Sequence, residues 1–137
     1  MTHEGFDMTE NEKIVRLTFE RGVAGDVDGY IELMDPEIVT RPLTGHSVYR
    51  GHAGIRQFFA DAWSRGVAVD DLRVYGTEDT VIATGTLFTR SSVGGLLELP
   101  AAWLFRLREN KVIEMQSFAH TSHAFRAAGM EPPARED

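Results

Sequence analysis

The sequence has no cysteine. Disulfides, thiolate metal sites and a cysteine nucleophile are thereby excluded, and the composition suits a reducing compartment such as the cytoplasm. No apolar run approaches the ~20 residues of a membrane-spanning helix, so no membrane partner is expected. The opening "MTHEGFDMTENEK" lacks the apolar centre of a secretory signal. Basic charge is also scarce. Fourteen Lys and Arg stand against 21 Asp and Glu, a net charge of -7, and no basic cluster is longer than a pair. Nucleic acid demands a cationic footprint and is not an expected partner. The acidic surplus reads as a solvated surface. Internal repeats and low-complexity segments are missing as well.

What is present is ordinary for a globular chain: 137 residues, 42% hydrophobic and 26% charged. That is one domain over 1–137, long enough for a single core, with ends 1–8 and 131–137 read as frayed. Thr9-Glu10-Asn11-Glu12 is a capping box that opens a first helix. Ile14, Leu17 and Thr18, with Val15 and Phe19 beside them, give its apolar stripe. Gly25 stops that helix and Asp26 caps a short second one carrying Val27, Tyr30, Ile31 and Met34. Asp35-Pro36 ends it. "EIVTRP" is short, β-branched and alternating, so it predicts a strand. Residues 52–65 predict a third helix, with Ile55, Phe58, Phe59, Ala62 and Trp63 on one face and Gly66 at its end.

After Gly66 the period becomes alternating. It predicts strands near 68–77, 80–90, 96–108 and 111–119, with "SSVGG" at 91–95 as a hairpin turn. In the last hairpin Trp103, Phe105 and Leu107 share one face, and Ile113, Met115 and Ser117 share one face of the next strand. Partners across a ladder lie on the same side. A three-residue turn, Arg108-Glu109-Asn110, satisfies this by pairing 105 with 113 and 103 with 115. A final helical turn, "SHAFRAAG", ends at Gly129. Three helices with one early strand among them, followed by antiparallel strands, argue for an α+β fold: helices on the concave side of a curved sheet.

Three stretches in this order resemble the nuclear transport factor two-like superfamily, and within it the SnoaL-like polyketide cyclases and relatives of ketosteroid isomerase. They are "GDVDGYIELMDPEIV" (25–39), "YRGHAGIRQFF" (49–59), and "FRLRENKVIEMQSF" with "HAFRAAGM" (105–130). The resemblance spans nearly the whole chain. It implies a cystatin-like conical barrel, a pocket floored by the sheet, and a homodimer through the outer sheet face. It does not imply one reaction, because this fold hosts isomerases, cyclases, hydrolases, dehydratases and non-enzymes. The isomerases carry a base aspartate at the end of the first strand, before a proline; Arg41 stands there. Their two oxyanion donors fall on Thr18 and Trp103. The acid that the cyclases keep on the last strand falls on Ser117. A guanidinium cannot accept a proton at usable pH, so Arg41 is not that base.

Each candidate has a functional and a structural reading. Arg41 either anchors a ligand carboxylate or enolate, or pairs with Glu37, Asp35 or another carboxylate. Phe59, Trp103, Phe105 and Met115 either wall an apolar pocket or form ordinary core. Thr18 and Ser117 either orient a ligand or satisfy nearby backbone. Tyr30 and Tyr49 either aim hydroxyls at the pocket or pack. His120 either serves as an acid or base at the pocket mouth or is an exposed helix-end residue. His120 and His123 lie three apart, but no third ligand is evident, so no metal and no cofactor are expected. His46 in a loop, His52 at a helix start and Trp63 on the apolar stripe read as structural. Two functions follow. One is an enzyme acting on a small, apolar or weakly acidic metabolite, with Arg41 as anchor and His120 in proton transfer. The other is a non-catalytic binder or dimeric scaffold that kept the fold and lost the family acids.

Overall fold

A computed structural model describes residues 9–42, 48–61, 66–77, 79–91 and 93–132. Helix α1 spans Glu10–Ala24 and opens on the predicted box: the Thr9 hydroxyl accepts from the Glu12 amide, and the Glu12 carboxylate accepts from the Thr9 amide. Gly25 closes it in the left-handed conformation. Asp26 caps α2 (Val27–Glu32) through the Gly29 amide. Strand β1 runs Met34–Arg41, so Met34 belongs to the strand and not to the second helix. Strand β2 (Tyr49–Arg50) leads into α3 (Gly51–Asp61). His46 and Trp63 lie outside the described residues. Strands β3 (Val67–Gly76), β4 (Thr80–Arg90), β5 (Leu96–Arg108) and β6 (Lys111–Phe118) follow, then α4 (Thr121–Ala127).

The six strands form one sheet in the order β2-β1-β6-β5-β4-β3. Among the described residues only β1 and β6 run parallel, joining an early strand to the last one. Helix α1 packs over β3 and β4, and α3 over β1 and β2. They cover the inner face, where Ile38, Val81, Ala83, Trp103, Phe105, Leu107, Val112 and Met115 meet Ile14, Val15, Phe19, Ile55 and Phe58. A bulge in β3 between Asp70 and Arg73 puts Asp71 at φ 57° and bends the strand. Opposite it, a Cβ on Gly85 would stand 2.9 Å from the Asp70 carbonyl oxygen, so only glycine lets the bulge close on β4.

The last hairpin departs from the predicted register. Leu107 pairs with Val112 and Arg108 with Lys111, so the turn is Glu109-Asn110 alone. Both residues have positive φ, 53° and 67°, the two-residue turn that matches strand twist. A two-residue turn alone would pair opposite faces of the two strands, and a bulge resolves this. Arg106 pairs with Glu114, leaving Ile113 as the extra residue. Beyond it Phe105 faces Met115 and Trp103 faces Ser117. One inserted residue restores the alternation that a three-residue turn was invoked to save.

Helix α4 packs on the outer face. Ala124 and Phe125 cover Ile82, Ala102 and Leu104, with Tyr75 and Phe118 at the border. Residues 101–105 of β5 are therefore buried on both sides, which is why "AAWLF" is a continuous apolar run rather than an alternating one. The outer face that the resemblance implies for a dimer is thus covered over β4 and β5 by the chain's own helix.

Candidate functional site

The end of β1 decides the site. Ile38 and Thr40 are buried on the inner face, so the period of two sends Arg41 outward. Its guanidinium donates to Glu114 at 2.9 Å, and Arg106 approaches the same carboxylate at 3.3 Å. Arg106 also donates to the Ala127 carbonyl at the end of α4, which fixes this cluster on the outer face. Arg41 does not line the cone. The anchor expectation gives way to the ion-pair alternative, with Glu114 as partner in place of Asp35 or Glu37. Those two carboxylates face Arg108 instead. The Asp35 carboxyl is held below its ordinary range first by the Glu37 amide, with Arg108 and His52 adding to the effect and desolvation opposing it. Because the Arg41 pair is partly exposed, Arg41→Ala is expected to cost less than about 1 kcal/mol. Urea unfolding checks this; a loss above about 2 kcal/mol would contradict a surface bridge.

On the inner face the structure brings together most of the remaining candidates. Trp103 and Phe105 stand edge-on to Phe19 of α1, with ring centroids 4.8 and 5.7 Å apart. Met115 lies beside Phe105 across the β5–β6 ladder, and Ser117 beside Trp103. On the other flank Tyr49 packs on Phe58, and Tyr30 meets Phe59 edge-on. Sequence reasoning passed over Phe19 as a site residue, although its place beside the α1 stripe was visible. Phe19 also lines a cleft of about 330 Å³ between α1 and β3, shared with Val23, Val69 and Leu72.

The hydroxyls divide. Thr18 is buried and donates to the Ile14 carbonyl at 2.8 Å, the backbone alternative. Tyr49 donates to Asp61 at 2.7 Å. Tyr30 is fully buried, and desolvation pushes its phenol far above the ordinary value. Ser117 points its hydroxyl at the Met115 sulfur, 3.8 Å away. Thr40, which sequence reasoning missed, is completely buried, and its oxygen has no partner. The signal was its alternation with Ile38, masked by the adjacent Val39, which makes either phase of "IVTR" plausible.

The histidines lie elsewhere. His120 and His123 are exposed at the start of α4, with ring centroids 4.9 Å apart. His52 contacts the Met34 carbonyl oxygen at 3.0 Å through Nε2. Among the described residues no three His, Asp or Glu side chains converge to hold a metal, and no helix is long and apolar enough to cross a membrane.

Comparison with known proteins agrees with this architecture. TerC, co-crystallised with polyporic acid, is 21% identical, with a TM-score of 0.72 over 87% of this chain and 97% of that one. SalBIII, an epoxide hydrolase/cyclase-like enzyme with a role in pyran ring formation in the polyether salinomycin, is 20% identical, with a TM-score of 0.74 over 85% and 95%. RV0760c from Mycobacterium tuberculosis, in complex with estradiol-17β-hemisuccinate, is 14% identical, with a TM-score of 0.69 over 82% and 95%. At these identities the likeness establishes the fold alone. No curated protein sequence matches the chain. The SnoaL-like domain profile matches residues 15–115. With that match across most of its length, this chain belongs to the SnoaL-like domain family.

Proposed function

We propose that this protein binds a small, mostly apolar molecule on the inner face of its sheet, and does so without acid–base chemistry. One observation carries the reading. Among the described residues the buried polar or charged side chains are Thr18, Thr40 and Thr80; Thr18 and Thr40 lie on the side of Phe19, Trp103, Phe105 and Met115, and Thr80 pairs with Arg106 on the outer face. Threonine hydroxyls orient a ligand but do not titrate near neutral pH, where a general acid or base must work. An aromatic and thioether wall with a few polar groups is the usual make-up of a small-molecule site. The ligands held by TerC and RV0760c, polyporic acid and estradiol-17β-hemisuccinate, support the same class of occupant.

Titration with those two compounds, followed by tryptophan fluorescence and by mass spectrometry of the ligand, tests this. Saturable quenching at micromolar concentrations is expected, with the ligand recovered unchanged. In Trp103→Phe the quenching shrinks to what the second tryptophan, Trp63, provides. Chemical conversion of either compound by the protein contradicts binding without catalysis. Quenching that persists in full in Trp103→Phe places the ligand elsewhere.

A further inference from the structure

A separate cavity opens at the other end of β1 from Arg41, where α2 passes into the strand. It is an open cleft of about 700 Å³. Ile31, Leu33, Met34 and Pro36 give it apolar walls, and it shares no residue with the wall of Phe19, Trp103, Phe105 and Met115. Its other lining residues are ionisable, and three of them are fixed on backbone carbonyls of the α2–β1 passage. Arg21 donates to Gly29 at 2.6 Å, Lys111 to Glu32 at 2.6 Å, and His52 meets the Met34 carbonyl at 3.0 Å. Cations at a helix C-terminus satisfy its last carbonyls, so part of this arrangement caps α2. Capping leaves most of the donors unused. An ammonium has three and a guanidinium five. Lys111 spends one on the Glu32 carbonyl, and among the described residues no carboxylate lies within ion-pair distance of it. Arg21 reaches the exposed Glu32 carboxylate at 3.3 Å. The nearby carboxylates of Asp35 and Glu37 face Arg108 instead. Two cations thus stand against one carboxylate around an apolar cleft, on a chain whose net charge is -7.

We infer that this cleft is a second binding site, for a small amphipathic carboxylate: an apolar chain ending in one carboxylate group. The chain lies along Ile31, Leu33 and Pro36, and the carboxylate takes the spare donors of Lys111 and Arg21. Charge-assisted hydrogen bonds of this kind are the strong ones, and side chains already held on backbone carbonyls lose little freedom on binding. The volume falls in the range of small-molecule sites, about 300–1,000 Å³. Glu32 opposes the same anion and limits the affinity. The inference does not rest on the inner-face binding proposed above.

A matched probe pair tests it: octanoate and n-octanol, one chain with and without a charge. Each is titrated into the whole protein at low salt and followed residue by residue through amide NMR. Octanoate is expected to shift the amides of Leu33, His52 and Lys111 saturably, and to bind there about 5- to 10-fold more tightly than n-octanol. Lys111→Met keeps the apolar stem and removes the charge. It is expected to weaken octanoate at these amides about 5- to 10-fold and to leave n-octanol within about twofold. Glu32→Gln removes the opposing carboxylate and frees Arg21, so octanoate is expected to tighten about 2- to 3-fold. Cations that only cap α2 would not give these opposite signs. Both side chains are exposed, and should Lys111→Met fail to fold, Glu32→Gln and the probe pair decide alone. Equal affinity for the two probes, a Lys111→Met loss shared by both, or octanoate binding left unchanged or weakened by Glu32→Gln overturns the assignment. So do shifts confined to Trp103, Met115 and Ser117, an outcome that supports the inner-face reading while the cleft fails. Cleft shifts with the stated dependence uphold the assignment whether or not the inner face binds.

Discussion

Phe105→Ala is expected to cost about 3–5 kcal/mol, the range for deleting a buried aromatic ring. Phe105 is among the largest fully buried side chains. It pairs with Val81 on β4 and Met115 on β6, and its ring stands edge-on to Phe19. The position therefore joins three strands to α1. Its neighbours sit on sheet backbone, which relaxes poorly into a void, so the cavity term adds to the lost transfer energy. Domains of this kind hold only about 5–15 kcal/mol in total, so the variant keeps a fraction of its stability. Urea unfolding monitored by circular dichroism measures the loss as a lower midpoint with an unchanged slope. A cost below about 1.5 kcal/mol would mean that this part of the inner face is loosely packed.

The second large effect belongs to the other face. Phe125→Ala removes the side chain that holds α4 against the sheet, and about 3 kcal/mol is expected. Phe125 is buried against Ile82, Ala102 and Leu104, with its ring 5.3 Å from that of Tyr75. Helix α4 has seven residues, and its start has no side-chain cap. A helix this short does not persist without tertiary packing. The loss should accordingly be local before it is global. Hydrogen exchange at Ala124 and Ala128 is expected to accelerate by two orders of magnitude or more, while amides in the β4–β5 ladder slow or hold. Detachment also exposes an apolar patch on the sheet, so self-association is expected to rise with concentration. Uniform acceleration across the sheet would show instead that α4 and the core unfold as one unit.

The two faces share one strand, and this separates what each residue does. On β5 the odd positions Trp103 and Phe105 pack into the inner-face core, where binding is proposed, and the even positions Ala102 and Leu104 seat α4. Substitutions one residue apart should therefore give different phenotypes: ligand binding for Trp103, and helix attachment for Leu104.

What the sequence by itself determined is the local part. The Thr9–Glu12 box, the Gly25-Asp26 junction, and the strands at 80–90 and 96–108 all formed where periodicity and capping placed them. Each depends on groups within a few residues of one another, so the chain need not be folded for the preference to exist. Tertiary structure decided the rest. Arg41 meets Glu114 across 73 residues of chain, and no local pattern announces that pair. Ile113 bulges, and one inserted residue re-aims every side chain between it and Ser117. The phase of "IVTR" is ambiguous until Met115 and Tyr49 flank β1 and fix which of its residues is inside. That choice sends a charged residue out to solvent and an unpaired hydroxyl into the core, because a guanidinium costs far more to bury than a threonine.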